Sequence, residues 1–182
     1  MKSIKLLSGA VAILFANLLN AQHYTPTDEG SEVKFKIKNF GVQVGGDFTG
    51  LKGTIKFEQA KPTDGSFDVT VASNSVNTGI GLRDKHLKKE EYFNVDKYPL
   101  IEIKSTKITN ANKEGWLYFY GTLTMKGVTK EISFPFRAKE QNGGYLFSGE
   151  FKINRRDYGV GGNSFSLSDN VTVILTVFTK KM

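Results

Sequence analysis

The chain contains two imidazoles, His23 and His86, and no cysteine at all. His86 sits in Arg83-Asp84-Lys85-His86-Leu87, where it is the candidate general base of any enzymatic reading. A nucleophilic site also needs a nucleophile and an orienting acid converging on that base, and no G-x-S-x-G elbow frames a serine. Metal chemistry needs clustered ligands, but neither an HExxH pair nor a loop of alternating aspartates occurs. The glycine-rich stretch from Gly41 to Gly50 precedes no helix that would cradle a phosphate. A lone histidine in a run of helix formers reads as a capping or hydrogen-bonding residue. The expectation is therefore no metal, no cofactor and no catalytic set.

The elements around this run carry a stronger signal. In Val33-Lys34-Phe35-Lys36-Ile37-Lys38 apolar and lysine side chains alternate, which puts them on opposite faces of an extended strand. The same period of two returns in Gly53–Glu58, Phe67–Val71, Leu100–Ser105, Trp116–Met125, Glu131–Ala138, Tyr145–Asn154 and Asn170–Thr179. Lys61-Pro62-Thr63-Asp64-Gly65 is a turn, and Lys126-Gly127 and Asn142-Gly143-Gly144 read as tight hairpins. One segment, Leu82 to Tyr92, is poor in β-branched residues and reads as a short helix, with Asp84 and Lys88 spaced to pair. Tyr98-Pro99 ends it. The pattern is all-β, a sandwich or an up-and-down barrel with one helical interruption.

Parity assigns the inner face. Phe35, Ile37, Phe48, Ile55, Phe57, Phe67, Val69, Val71, Ile101, Ile103, Leu117, Phe119, Leu123, Phe134, Phe136, Phe147 and Phe151 are the expected lining, with Val33, Met125, Ile132 and Ile153 in the same register. Gly46, Gly53, Gly121 and Gly149 share that parity. Bare backbone beside bulky aromatics leaves an elongated hollow, but strand glycines also mark bulges and bends. A small barrel accommodates either a packed core or a ligand cavity.

Residues 1–21 have a basic start (Lys2, Lys5), an apolar run from Leu6 to Leu19 and a small residue at Ala21, which reads as a signal peptide cut after Ala21. Ser8, Gly9 and Asn17 interrupt the run, so it falls short of the roughly 20 apolar residues of a spanning helix. The expectation is a periplasmic or secreted protein with one domain over 22–182. Net charge is +7, but the lysines are spread along strand faces as on a solvated surface, which argues against nucleic acid. A transient contact with anionic lipid surfaces is in keeping with that charge. A membrane-spanning barrel would show aromatic girdles at two interfaces, and none is evident.

Three motifs point further. Asn77-Thr78-Gly79, Arg83-Asp84-Lys85-His86-Leu87, Tyr92-Phe93-Asn94-Val95 and Lys97-Tyr98-Pro99 form the first; Leu123–Lys130 and Ile153–Gly159 are the second and third. Together they resemble the YceI-like family, in the family's order and over essentially the whole of 22–182. The resemblance implies an eight-stranded antiparallel lipocalin-like barrel, non-enzymatic, whose tunnel holds a long-chain lipid: a polyisoprenoid, an isoprenoid quinone or a fatty-acid derivative. Gly45-Gly46-Asp47-Phe48 departs from it in lacking the basic residue often found before the phenylalanine. Polar recognition at the mouth then falls to Arg83, Asp84, His86, Arg155 and Asp157, for which a structural role, such as an Arg155–Asp157 buttress, is the competing account. Two rival functions stand beside the carrier: an enzyme acting on a lipid head group through His86, and a stress protein with a filled core.

Overall fold

Alternating strands can satisfy their backbone groups by closing into a ring, and that is the solution this chain adopts. A computed structural model describes residues 22–182; the expected signal segment lies outside the described residues. Nine strands form the sheet: β1 (Gln22–Asn39), β2 (Val42–Phe48), β3 (Lys52–Phe57), β4 (Ser66–Ala72), β5 (Leu100–Asn110), β6 (Leu117–Met125), β7 (Val128–Gln141), β8 (Gly144–Asn154) and β9 (Leu167–Lys181). The helix α1 (Gly81–Leu87) follows β4. All pairings are antiparallel, and β1 with β3 to β9 makes a closed eight-stranded barrel.

The long β1 does two jobs. Its first residues, Gln22 to Tyr24, pair with β3, while from Val33 to Asn39 it pairs with β2. Its other edge runs along β9 from Tyr24 to Asn39, with the register broken between Thr27 and Glu32. Where β1 leaves β3, the Asp28 carboxylate accepts the N–H groups of Gly50 and Leu51, each at 2.9 Å, and holds the seam. The far edge of β2 meets the rest of the barrel through backbone hydrogen bonds between Asp47 and Asn77.

Three hairpins turn on two residues with positive φ: Phe40-Gly41, Lys126-Gly127 and Asn142-Gly143. Such turns match the right-handed twist of paired strands. The helix is shorter than Leu82 to Tyr92, and the expected Asp84–Lys88 pair is replaced. Asp84 instead accepts the Thr78 N–H at 2.9 Å and the Thr78 hydroxyl. Those bonds are partly buried and charge-assisted, so they outweigh an exposed ion pair.

The two ends of the barrel differ. Successive strands run in opposite directions, so the β3–β4, β5–β6 and β7–β8 connections fall at one end with the start of β1 and the end of β9. There Tyr24, Phe57, Tyr145 and Phe147 meet edge to face or tilted, with ring centres 4.9 to 5.8 Å apart. Phe57 is wholly buried. This end is plugged. The opposite end gathers the β1–β2 turn, α1 and the segment between β8 and β9.

Replacing Phe57 by alanine removes the centre of the plug. It should lower stability by about 3–5 kcal/mol, read as a reduced urea midpoint with an unchanged slope.

Candidate functional site

Above the plug the barrel is hollow. A cavity of about 420 Å³ runs along its axis, within the range of small-molecule sites. Fifteen of the seventeen expected residues line it: Phe35, Ile37, Phe48, Ile55, Phe67, Val69, Val71, Ile101, Ile103, Phe119, Leu123, Phe134, Phe136, Phe147 and Phe151. Phe57 and Leu117 do not; both have inward parity but sit at the plugged end, buried in the core. The last strand adds Val171, Val173, Leu175 and Val177, whose own period of two was the overlooked signal. Leu87, Tyr92, Phe93 and Val160 come from connections, where parity gives no guidance.

The hollow is elongated. Along β9 its lining extends from Leu167 to Val177, ten residue steps, or about 33 Å of strand. A barrel tilt near 40° reduces that to roughly 25 Å along the axis. Aromatic rings form much of this wall. Phe119, Phe134 and Phe151 stack at 4.8 and 4.6 Å. Gly121 and Gly149 make the room: a Cβ on Gly121 would stand 2.6 Å from the Phe119 ring, and one on Gly149 3.0 Å from Phe134. Gly46 does the same for Phe35 at 2.7 Å. These glycines admit rings to the wall itself.

Polar groups collect at the open end. Arg83 and His86 line the cavity, with Thr78, Asn39, Ser164 and Ser166. Arg83 donates from Nε to Thr78 Oγ1 at 2.8 Å and from Nη2 to Thr78 O at 2.9 Å. His86 is exposed and packs its ring against Tyr92 at 4.9 Å. Asp84 faces Thr78 and does not line the hollow. Asn39 Oδ1 is buried and has no protein partner.

Arg155 lines the cavity yet is committed to structure. It is 3% exposed and donates to Ser168 O, Val160 O, Gly162 O and Asp169 Oδ1 at 2.8 to 3.0 Å. The expected buttress with Asp157 is corrected: Asp157 is exposed in a 3₁₀ turn, and Asp169 takes its place. Asp169 follows Arg155 by fourteen residues, across the β8–β9 connection, a pairing no local spacing predicts.

The three motifs meet here. Lys126 Nζ donates to Glu91 O at 3.0 Å, just before the Tyr92 stretch of the first motif, and to Gly159 O at 2.6 Å in the third. Gly161 N–H donates to Glu91 O at 2.9 Å, and its missing side chain leaves space for Tyr92 and Arg155. Tyr98 packs on Gly127. Their shared task is to frame the opening.

A YceI-like domain model matches residues 24–178. The chain belongs to the YceI-like domain family. It is 32% identical to a "UPF0312 protein" of Pseudomonas fluorescens over 188 residues, covering 96% of this chain and 95% of that protein. It is likewise 32% identical to the "Protein YceI" of Salmonella arizonae over 166 residues, 86% of each. Among solved structures, BcnA of Burkholderia cenocepacia superposes with a TM-score of 0.76 at 23% identity, over 81% of this chain and 95% of that one. A polyisoprenoid binding domain from Saccharophagus degradans gives 0.70 at 16% identity, over 90% and 100%. These two share the barrel fold.

Two outcomes follow from the opening's construction. Replacing Arg155 by methionine strands the carbonyls of Ser168, Val160 and Gly162 and leaves Asp169 with Arg156 alone, and should lower the urea midpoint by the equivalent of about 1–3 kcal/mol. Burial, and after it the Asp157 charge, pushes the Tyr158 phenol up to about 12 from an ordinary 10.0. The folded state thus favours the protonated phenol. That contribution is complete below pH 10 and is lost as pH rises through 10 towards 12. Ultraviolet phenolate titration should show a late-ionising tyrosine that disappears in Tyr158→Phe, whose stability should fall less steeply over this window.

Proposed function

We propose that this protein is an exported, non-enzymatic carrier that holds one long-chain apolar lipid in its barrel. The polyisoprenoid type, including isoprenoid quinones, leads, with fatty-acid derivatives next. The observation that carries the reading is the elongated apolar hollow, sealed by aromatics at one end and open among polar groups at the other. The printed description of the Saccharophagus degradans domain as polyisoprenoid binding supports the cargo class. Export rests on the basic start, apolar run and Ala21 of residues 1–21.

The energetics suit such a cargo. Burying 20 methylenes gains roughly 16 kcal/mol at about 0.8 kcal/mol each. Association and immobilisation of the tail remove 4–15 kcal/mol, which leaves binding favourable for long chains and negligible for short ones. Chain length is therefore the first selector. Polar atoms at the mouth, Arg83 with its guanidinium on neutral acceptors and Asn39 with its unpartnered oxygen, are placed to select the head.

Organic extraction of the purified protein followed by mass spectrometry should recover a stoichiometric lipid of 20 or more carbons. Consistent absence of lipid, together with no uptake of added polyprenol, overturns the reading. Ile103 and Val69 are cross-strand neighbours in the lining. Ile103→Trp should fill the hollow and reduce polyprenol uptake at least tenfold while leaving the far-ultraviolet spectrum unchanged.

A further inference from the structure

Eight large apolar side chains are markedly exposed among the described residues, and six of them lie at the open end: Phe40, Val42, Ile80, Leu82, Leu100 and Phe165. Strand direction fixes that placement. The β1–β2 turn, the β4–β5 connection containing α1, and the β8–β9 connection all leave the barrel on the side away from the aromatic plug. Phe165 is fully exposed, Leu82 82% and Phe40 75%. The Phe40 N–H donates to Ser166 O at 2.8 Å, so two of these tips stand side by side. Arg83, next to Leu82, and Asn39, next to Phe40, line the same cavity, so the tips surround its opening.

We propose that this rim is a docking surface for an anionic lipid bilayer. The apolar residues come as separate protruding tips from three connections. A fluid bilayer receives such wedges independently, whereas a folded partner protein would need one continuous complementary face. Cations stand beside the tips: Lys38 before Phe40, and Arg83 and Lys85 around Leu82. Apolar wedges flanked by basic side chains are the combination that binds anionic interfaces. The neighbouring Asp84 is turned inwards to Thr78, and the nearby Asp169 is paired with Arg155 and Arg156. Seated this way, the mouth opens onto acyl chains, and an apolar cargo passes between barrel and membrane without crossing water. The functional meaning of docking rests on the carrier reading; the docking itself does not.

The test is flotation of the purified protein, with its N-terminus read by intact mass, on vesicles of phosphatidylethanolamine and phosphatidylglycerol and on vesicles of phosphatidylcholine alone. The expected result is co-flotation with the anionic vesicles, several-fold weaker on the neutral ones and in 0.5 M salt. Leu82→Asp combined with Phe165→Asp should lower the bound fraction at least tenfold. Met182→Asp, at the plugged end, should leave it unchanged. Uptake of polyprenol from detergent should be unaffected by the double change, because both side chains are exposed and neither lines the cavity. Absence of binding to anionic vesicles, or equal binding by the double variant, overturns the docking surface even if extraction recovers a lipid. Binding that depends on the rim upholds it even if extraction recovers none.

Discussion

The hydrogen-bonded seam between β1 and β9 is the contact on which this molecule depends. It joins the first described strand to the last, from Tyr24 to Asn39 on one side and from Lys181 to Leu167 on the other. Without it the sheet would present two long edges and the apolar face would have nothing to close around. No cysteine is present to staple the ring. Backbone pairing and the aromatic plug supply that restraint, and the Asp28 carboxylate covers the point where β1 departs from β3.

Given a closed ring, the interior has two unequal halves. At one end, rings packed edge to face exclude any guest; at the other, side chains of the same chemical type retreat to the wall. Glycine placement accounts for much of the difference. A Cβ at Gly46, Gly121 or Gly149 would press on the ring of Phe35, Phe119 or Phe134, and at Gly46 and Gly121 it would also meet the carbonyls of Asn77 and Lys104. The hollow is thus built by omission of side chains as much as by choice of apolar ones, and a close-packed protein interior would not otherwise tolerate it.

Much of this was legible in the sequence. Period-two alternation named most of the apolar side chains that strands bring to the lining, and Lys126-Gly127 and Asn142-Gly143 marked their hairpins, because strand parity and left-handed turns are local properties. What parity cannot give is height along the axis. Phe57 and Leu117 face inward like the rest, yet they belong to the sealed end. Partnerships across connections were equally hidden. Asp169 rather than Asp157 answers Arg155, and Thr78 rather than Lys88 answers Asp84, since side-chain partners there depend on how two loops fold back. The YceI-like motifs were readable as a resemblance, but their meeting at one end of the barrel rests on contacts between distant connections, such as Lys126 between the carbonyls of Glu91 and Gly159.

The blind end has a consequence for direction. If the carrier reading holds, a vessel with a single doorway would admit an elongated amphiphile in one orientation, hydrocarbon leading and polar terminus trailing. The part that entered first would leave last, and the head would stay in view of the surroundings throughout. Identity can therefore be inspected without unloading, and two guests cannot pass one another inside.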